Sequence, residues 1–125
     1  MTRICNFNDL LPERPAAALV DGHQLAIVRL HDDRIFAVDM WDPFARANVM
    51  ARGLVGSVRV GDDDVDAIFS PMYKQAFALG TGVCLSDPDR ALGTWEVSVV
   101  DGWVRIGDRL TEGTPRETSH LARVG

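Results

Sequence analysis

Several side chains able to do chemistry occur in this chain, and their spacing decides what they can do. Asp62, Asp63, Asp64 and Asp66 crowd four carboxylates into one short segment, and oxygen-rich loops bind hard cations. A calcium loop of the EF-hand type, however, needs glycine at its sixth position and a bidentate glutamate at its twelfth. Counted from Asp62, those positions hold Ala67 and Tyr73. The segment therefore reads as a solvated turn whose charges discourage edge-to-edge pairing of the flanking strands. His23, His31 and His120 are scattered, two of them in predicted turns, and no serine or cysteine stands in a nucleophile motif; they read as surface histidines. Gly80-Thr81-Gly82 lacks the lysine and helix start of a phosphate-binding loop and reads as a tight turn between strands. Cys5 and Cys84 make no disulfide framework, and neither has a histidine at metal-ligand spacing. Both read as small buried hydrophobes or inert thiols.

At 125 residues the chain suits one domain with a core of its own. A net charge of -5 argues against nucleic acid as the main partner, because phosphate binding wants a basic face. Residues 1–15 lack a basic segment followed by an apolar run, and the apolar stretch 16–20 is too short to span a membrane. The expectation is a cytoplasmic protein with no membrane partner. The distribution of charge says more than its sum. All 18 acidic residues lie outside two stretches, 43–61 and 67–86, which hold Arg46, Arg52, Arg59 and Lys74, the only lysine.

Turn signals recur at short intervals between runs rich in Val, Ile, Leu and Trp, the pattern of an antiparallel β protein. Asp21-Gly22 and Asp101-Gly102 suit tight hairpins whose turns demand positive φ. The first joins 17–20 to 24–30 and the second joins 95–100 to 103–106. A third hairpin is expected between 27–30 and 35–39 across His31-Asp32-Asp33-Arg34, and a fourth between 57–60 and 65–69 across the acidic segment. That makes about eight or more short strands. Trp95, Val97 and Val99 alternate with Glu96 and Ser98, so their face belongs to the core. A single short helix is expected over 44–51, stopped by Gly53. After Gly107 the strand pattern ends, giving a β domain over 1–107 and a polar C-terminal tail over 108–125, read as mobile or as a short terminal helix.

Two further segments carry a resemblance. Asp42-Pro43-Phe44 and Ser70-Pro71-Met72-Tyr73 sit where a Rieske iron–sulfur protein has its Cys-x-His and Cys-x-x-His pairs. The framework around them is similar to that fold: Pro43 and Pro71, Phe77-Ala78-Leu79, Thr81-Gly82, Pro88, Leu92 and the closing Asp101-Gly102 hairpin. Within it, Arg52-Gly53-Leu54, Lys74-Gln75 and Gly82-Val83-Cys84 most resemble the small subunit of assimilatory NAD(P)H-dependent nitrite reductase, a family with the scaffold but without the ligands. The similarity runs from about Ile4 to Ile106. Asp42, Phe44, Ser70 and Tyr73 supply neither thiolate nor imidazole, so they cannot replace the two of each that such a cluster needs.

The resemblance implies an all-β, Rieske-like antiparallel sandwich or barrel with a cluster-less loop subdomain. It implies a non-catalytic subunit with no cofactor, metal or catalytic site of its own. Its partner would be a large subunit holding FAD, an iron–sulfur cluster and sirohaem, which reduces nitrite to ammonium for nitrate assimilation. The alternative is a stand-alone binding or regulatory module on the same fold. Phe44 and Tyr73 fit two roles: rings filling the space vacated by the cluster, or members of a docking face with Arg46, Met50, Arg52, Leu54, Met72 and Lys74, where apolar anchors meet cations without acids.

Overall fold

The computed structural model describes residues 1–116, and within them strands are the dominant element, joined by turns and two short 3-10 segments. Eleven strands follow in order: β1 Thr2–Asn6, β2 Ala16–Val20, β3 His23–Arg29, β4 Ile35–Asp39, β5 Trp41–Asp42, β6 Ala47–Asn48, β7 Leu54–Val60, β8 Asp63–Phe69, β9 Ala76–Ala78, β10 Thr94–Val100 and β11 Trp103–Thr111. Six of them form one antiparallel, nearly closed barrel-like sheet ordered β1-β11-β10-β4-β3-β2. A three-stranded sheet, β7-β8-β9, and the two-stranded β5-β6 hairpin make a smaller lobe.

The hairpin turns are dictated locally. Asp21 and Gly22 have φ of 49° and 82°, and Asp101 and Gly102 have 53° and 81°. Two successive positive φ values give the mirror-image turn that matches strand twist, and aspartate followed by glycine supplies them cheaply. The acidic segment is shorter as a loop than expected. Asp63, Asp64 and Asp66 lie in β8, leaving Gly61 and Asp62 as the turn, and cross-strand pairing sets Asp64 beside Arg59 at 3.2 Å.

Leu25-Ala26-Ile27-Val28 in β3 does not alternate, because both faces are buried. Leu25 and Ile27 face the barrel interior with Leu10, Val20, Ala37, Trp95, Val104 and Ile106. Ala26 and Val28 face the second core, where Val38, Met40, Met50, Ile68, Phe77, Leu79, Cys84 and Leu92 hold the smaller lobe to the barrel. β3 is thus the shared wall of two cores.

Three expectations are corrected. No helix covers 44–51: the segment is the turn and return strand of the β5-β6 hairpin followed by a 3-10 turn, Met50–Arg52. Arg46 turns through φ 58° and Ala47 pairs with Asp42, so the backbone doubles back before a helix can propagate. The alternation in β10 holds for Trp95 and Val97 but fails at Val99, 39% exposed, because the strand end projects past the core after two irregularities in its pairing with β11. And β11 continues past Gly107 to Thr111, where Thr94 N–H and hydroxyl bond the Thr111 hydroxyl. The tail expected beyond that lies partly outside the described residues, as does His120.

Candidate functional site

The two Pro-containing segments meet at one end of the smaller lobe, and they are built alike. In each, the first residue is buried and polar: Asp42 at 0% and Ser70 at 1% exposure. Each side chain accepts the N–H two residues on, Phe44 at 2.8 Å and Met72 at 3.2 Å. Each main-chain carbonyl accepts the N–H four residues on, Arg46 at 2.7 Å and Lys74 at 3.0 Å. Each loop then turns through a cation in the left-handed region, Arg46 at φ 58° and Lys74 at φ 59°. A short side-chain acceptor followed by proline favours this kind of turn.

Where the two loops meet, the Ser70 hydroxyl donates to Asp42 Oδ2. This bond joins the two positions that would hold thiolates, and it satisfies polar groups that burial would otherwise leave unpaired. The outer pair of positions diverges. Phe44 is half-buried, its ring 6.1 Å from that of Phe77 at a 51° tilt, and it packs on the second core. Tyr73 is 62% exposed. Phe44 is thus packed inward, whereas the exposure of Tyr73 does not fit the reading in which both rings fill the vacated space.

Leu54 and Met72 are exposed, as are Arg46, Arg52 and Lys74. Met50 is not part of this surface: it is fully buried in the second core. Arg52, Gly53, Leu54, Phe69, Ser70, Pro71 and Lys74 line a cleft of about 330 Å³. Gly53 has no alternative there, since a Cβ would stand 1.9 Å from the Phe69 carbonyl oxygen.

Sequence reasoning missed two contributors. Arg90, from the loop after β9, lies 5.6 Å over the Phe44 ring and bonds the Pro43 carbonyl at 3.5 Å; its proximity to Pro88 in the framework motif was the available signal. The segment after β11 was the other. Thr114 exchanges two 2.9 Å bonds with Ala91, and Arg116 reaches Asn48 Oδ1 at 3.0 Å while covering the Trp41 ring at 5.4 Å. Trp41 and Asn48 are paired at the base of the first loop, so residues 112–116 form a strap across it.

Of the other candidates, Cys84 is buried and Cys5 half-buried, both as free thiols. His23 and His31 are exposed, with His23 packed 5.1 Å from Trp95. Among the described residues, no group of three His, Cys, Asp or Glu side chains is placed to share a metal, and no helix is long and apolar enough to cross a membrane.

The fold and the paired loops define the class: residues 1–107 match the model of the Rieske-like [2Fe-2S] domain, and the chain belongs to that family. Within it the chain belongs with the nitrite reductase small subunits. It is 36% identical over 104 residues to the nitrite reductase (NADH) small subunit of Escherichia coli K12, covering 82% of this chain and 93% of that one. A Mycobacterium tuberculosis crystal structure described as an NADH-dependent nitrite reductase small subunit superposes with a TM-score of 0.77 at 38% identity, over 84% of this chain and 91% of that one. A Klebsiella oxytoca protein named as the nitrite reductase NAD(P)H large subunit carries a matching stretch, 30% identical over 106 residues, covering 85% of this chain and 11% of that protein.

The residues at the paired loops do not fit the cluster that gives the family its name. A Rieske centre takes two thiolates and two imidazoles, and these positions offer a carboxyl and a hydroxyl already bonded to each other, a half-buried phenyl ring and an exposed phenol.

Proposed function

We propose that this chain is the non-catalytic small subunit of a cytoplasmic NAD(P)H-dependent nitrite reductase and that its paired-loop end docks on the large subunit. The observation that carries the reading is the buried Asp42–Ser70 hydrogen bond, which closes the loops without a redox centre. A Rieske-like tip of this kind keeps a shaped protein surface and gives up electron transfer. Phe44, Arg46, Arg52, Leu54, Met72, Tyr73 and Lys74 form the proposed interface. The large subunit supplies FAD, an iron–sulfur cluster and sirohaem, and carries out the reduction of nitrite to ammonium. The match inside a large-subunit chain from Klebsiella oxytoca supports the pairing, because there a domain like this one is joined covalently to the rest of the enzyme.

Two measurements test the proposal. Purified chain is expected to be colourless and free of stoichiometric iron, and to co-elute with the large subunit and raise or stabilise its nitrite-dependent NAD(P)H oxidation. Stoichiometric iron with charge-transfer absorption, or no association with the large subunit, would overturn it.

A further inference from the structure

Non-glycine residues at positive φ are uncommon, and when they are neither Asn nor Asp they point to a local demand that outweighs backbone preference. Six occur among the described residues: Glu13, Asp21, Asp33, Arg46, Lys74 and Asp101. Three are aspartates in or beside hairpin turns, where a short polar side chain tolerates the conformation. Glu13, Arg46 and Lys74 are the other three; Glu13 stands apart, in the turn before β2, whereas Arg46 and Lys74 both belong to the tip. They hold equivalent places in two loops of like construction, and glycine would fit either backbone with less strain.

Lys74 also shares the 330 Å³ cleft with Arg52. Neither Arg52 nor Lys74 has an ion-pair partner among the described residues, whereas Arg29, Arg34, Arg59 and Arg109 are all paired. The cleft between them is bordered by Leu54, 75% exposed, and by Phe69 and Pro71. An apolar slot flanked by unpaired cations, in a stretch of sequence without acids, complements one kind of surface.

We infer that the left-handed cation Lys74, together with Arg52, reads carboxylates at the tip, and that the two receive an acidic segment of the large subunit whose apolar side chain enters the cleft between Leu54, Phe69 and Pro71. This rests on the subunit reading and adds the chemistry of the contact. Side chains kept at a backbone cost serve binding, so removing them relieves the fold while weakening the complex.

The test measures association of the full chain with separately purified large subunit across a sodium chloride series, and the thermal midpoint of each variant alone. Lys74→Gly is expected to leave the midpoint unchanged or raise it, and to slow association roughly tenfold at low salt with a shallower salt dependence. Lys74→Gln, which keeps the side chain and removes the charge, is expected to slow association similarly; Arg52→Glu should slow it more. Parent binding with unchanged rates in all three variants would overturn this inference and leave the subunit reading standing. A clearly lowered midpoint in Lys74→Gly would also overturn it, since the side chain would then serve the fold. If the parent chain does not associate with the large subunit, both readings fall.

Discussion

Arg46 and Lys74 occupy the same position in two loops that are built alike. Each donates its N–H to the carbonyl four residues back, Asp42 and Ser70, and each turns the chain through a left-handed conformation. In sequence the correspondence is Asp-Pro-Phe-Ala-Arg against Ser-Pro-Met-Tyr-Lys. It is a repeat of five residues, too short to register as one beside the longer strand pattern, and its meaning lies in hydrogen bonds rather than in residue identity.

The bond between the loops sets a stability expectation. Ser70→Ala leaves buried Asp42 Oδ2 without its donor and should cost about 1–3 kcal/mol. Asp42→Asn retains a side-chain amide that can still meet Ser70 and should cost less. Urea denaturation with both variants checks the order; a Ser70→Ala midpoint equal to the parent would show that the bond contributes nothing net.

The two rings should behave differently. Phe44 packs on Phe77 and beneath Arg90 while keeping one side open, so Phe44→Ala should cost about 1–3 kcal/mol, below the range for a wholly buried phenylalanine. Tyr73→Ala, at an exposed position, should lie within about 0.5 kcal/mol of the parent. Equal losses in thermal denaturation would restore the idea that both rings act as packing.

Arg116 ties the strap to the base of the first loop. Arg116→Ala removes one exposed hydrogen bond and one ring contact, about 1 kcal/mol or less in all. The global midpoint should hardly move. Local opening should still rise roughly fivefold, read as faster amide exchange at Val49 and Met50, whose N–H groups bond the Met40 carbonyl behind the loop. Unchanged exchange would confine the strap to covering the barrel end.

Cys5 gives the alkaline expectation. Burial, and secondarily the Asp9 carboxylate, push its thiol above the ordinary value. The folded chain then keeps a proton that the unfolded chain releases from roughly pH 8.5 upward, so stability is full below that pH and falls as pH rises through the folded value. Iodoacetamide should label Cys5 slowly at pH 8 and faster in Asp9→Asn, with buried Cys84 reacting more slowly than either. Mass spectrometry across a pH series reads the order directly, and a Cys5 rate equal to that of a free thiol would contradict it.

Much of the architecture was legible because it is local. Asp-Gly pairs specify their hairpins through backbone sterics, and the resemblance in the framework residues placed the two loops at the same end. What stayed hidden depends on tertiary contacts. The helix-forming residues of 44–51 are overruled by the left-handed turn at Arg46 and the pairing of Ala47 and Asn48 back onto Asp42 and Trp41. Met50 and Leu54 are both apolar and four residues apart, yet one is fully buried and the other 75% exposed; irregular loops have no periodicity to say which side a residue takes. The end of β11 is polar in sequence, and its continuation rests on side chains reaching across to Thr94 and to Asp39, which lies 3.1 Å from Arg109.

A pair of loops joined by metal is complete only after a cell's assembly machinery delivers the ions, and binding then supplies part of the folding free energy. Here the junction is a hydroxyl meeting a carboxyl, both encoded in the chain. That junction forms from side chains already present in the chain rather than from ions brought to it. The register of the two loops against each other is thus set at the moment the chain folds.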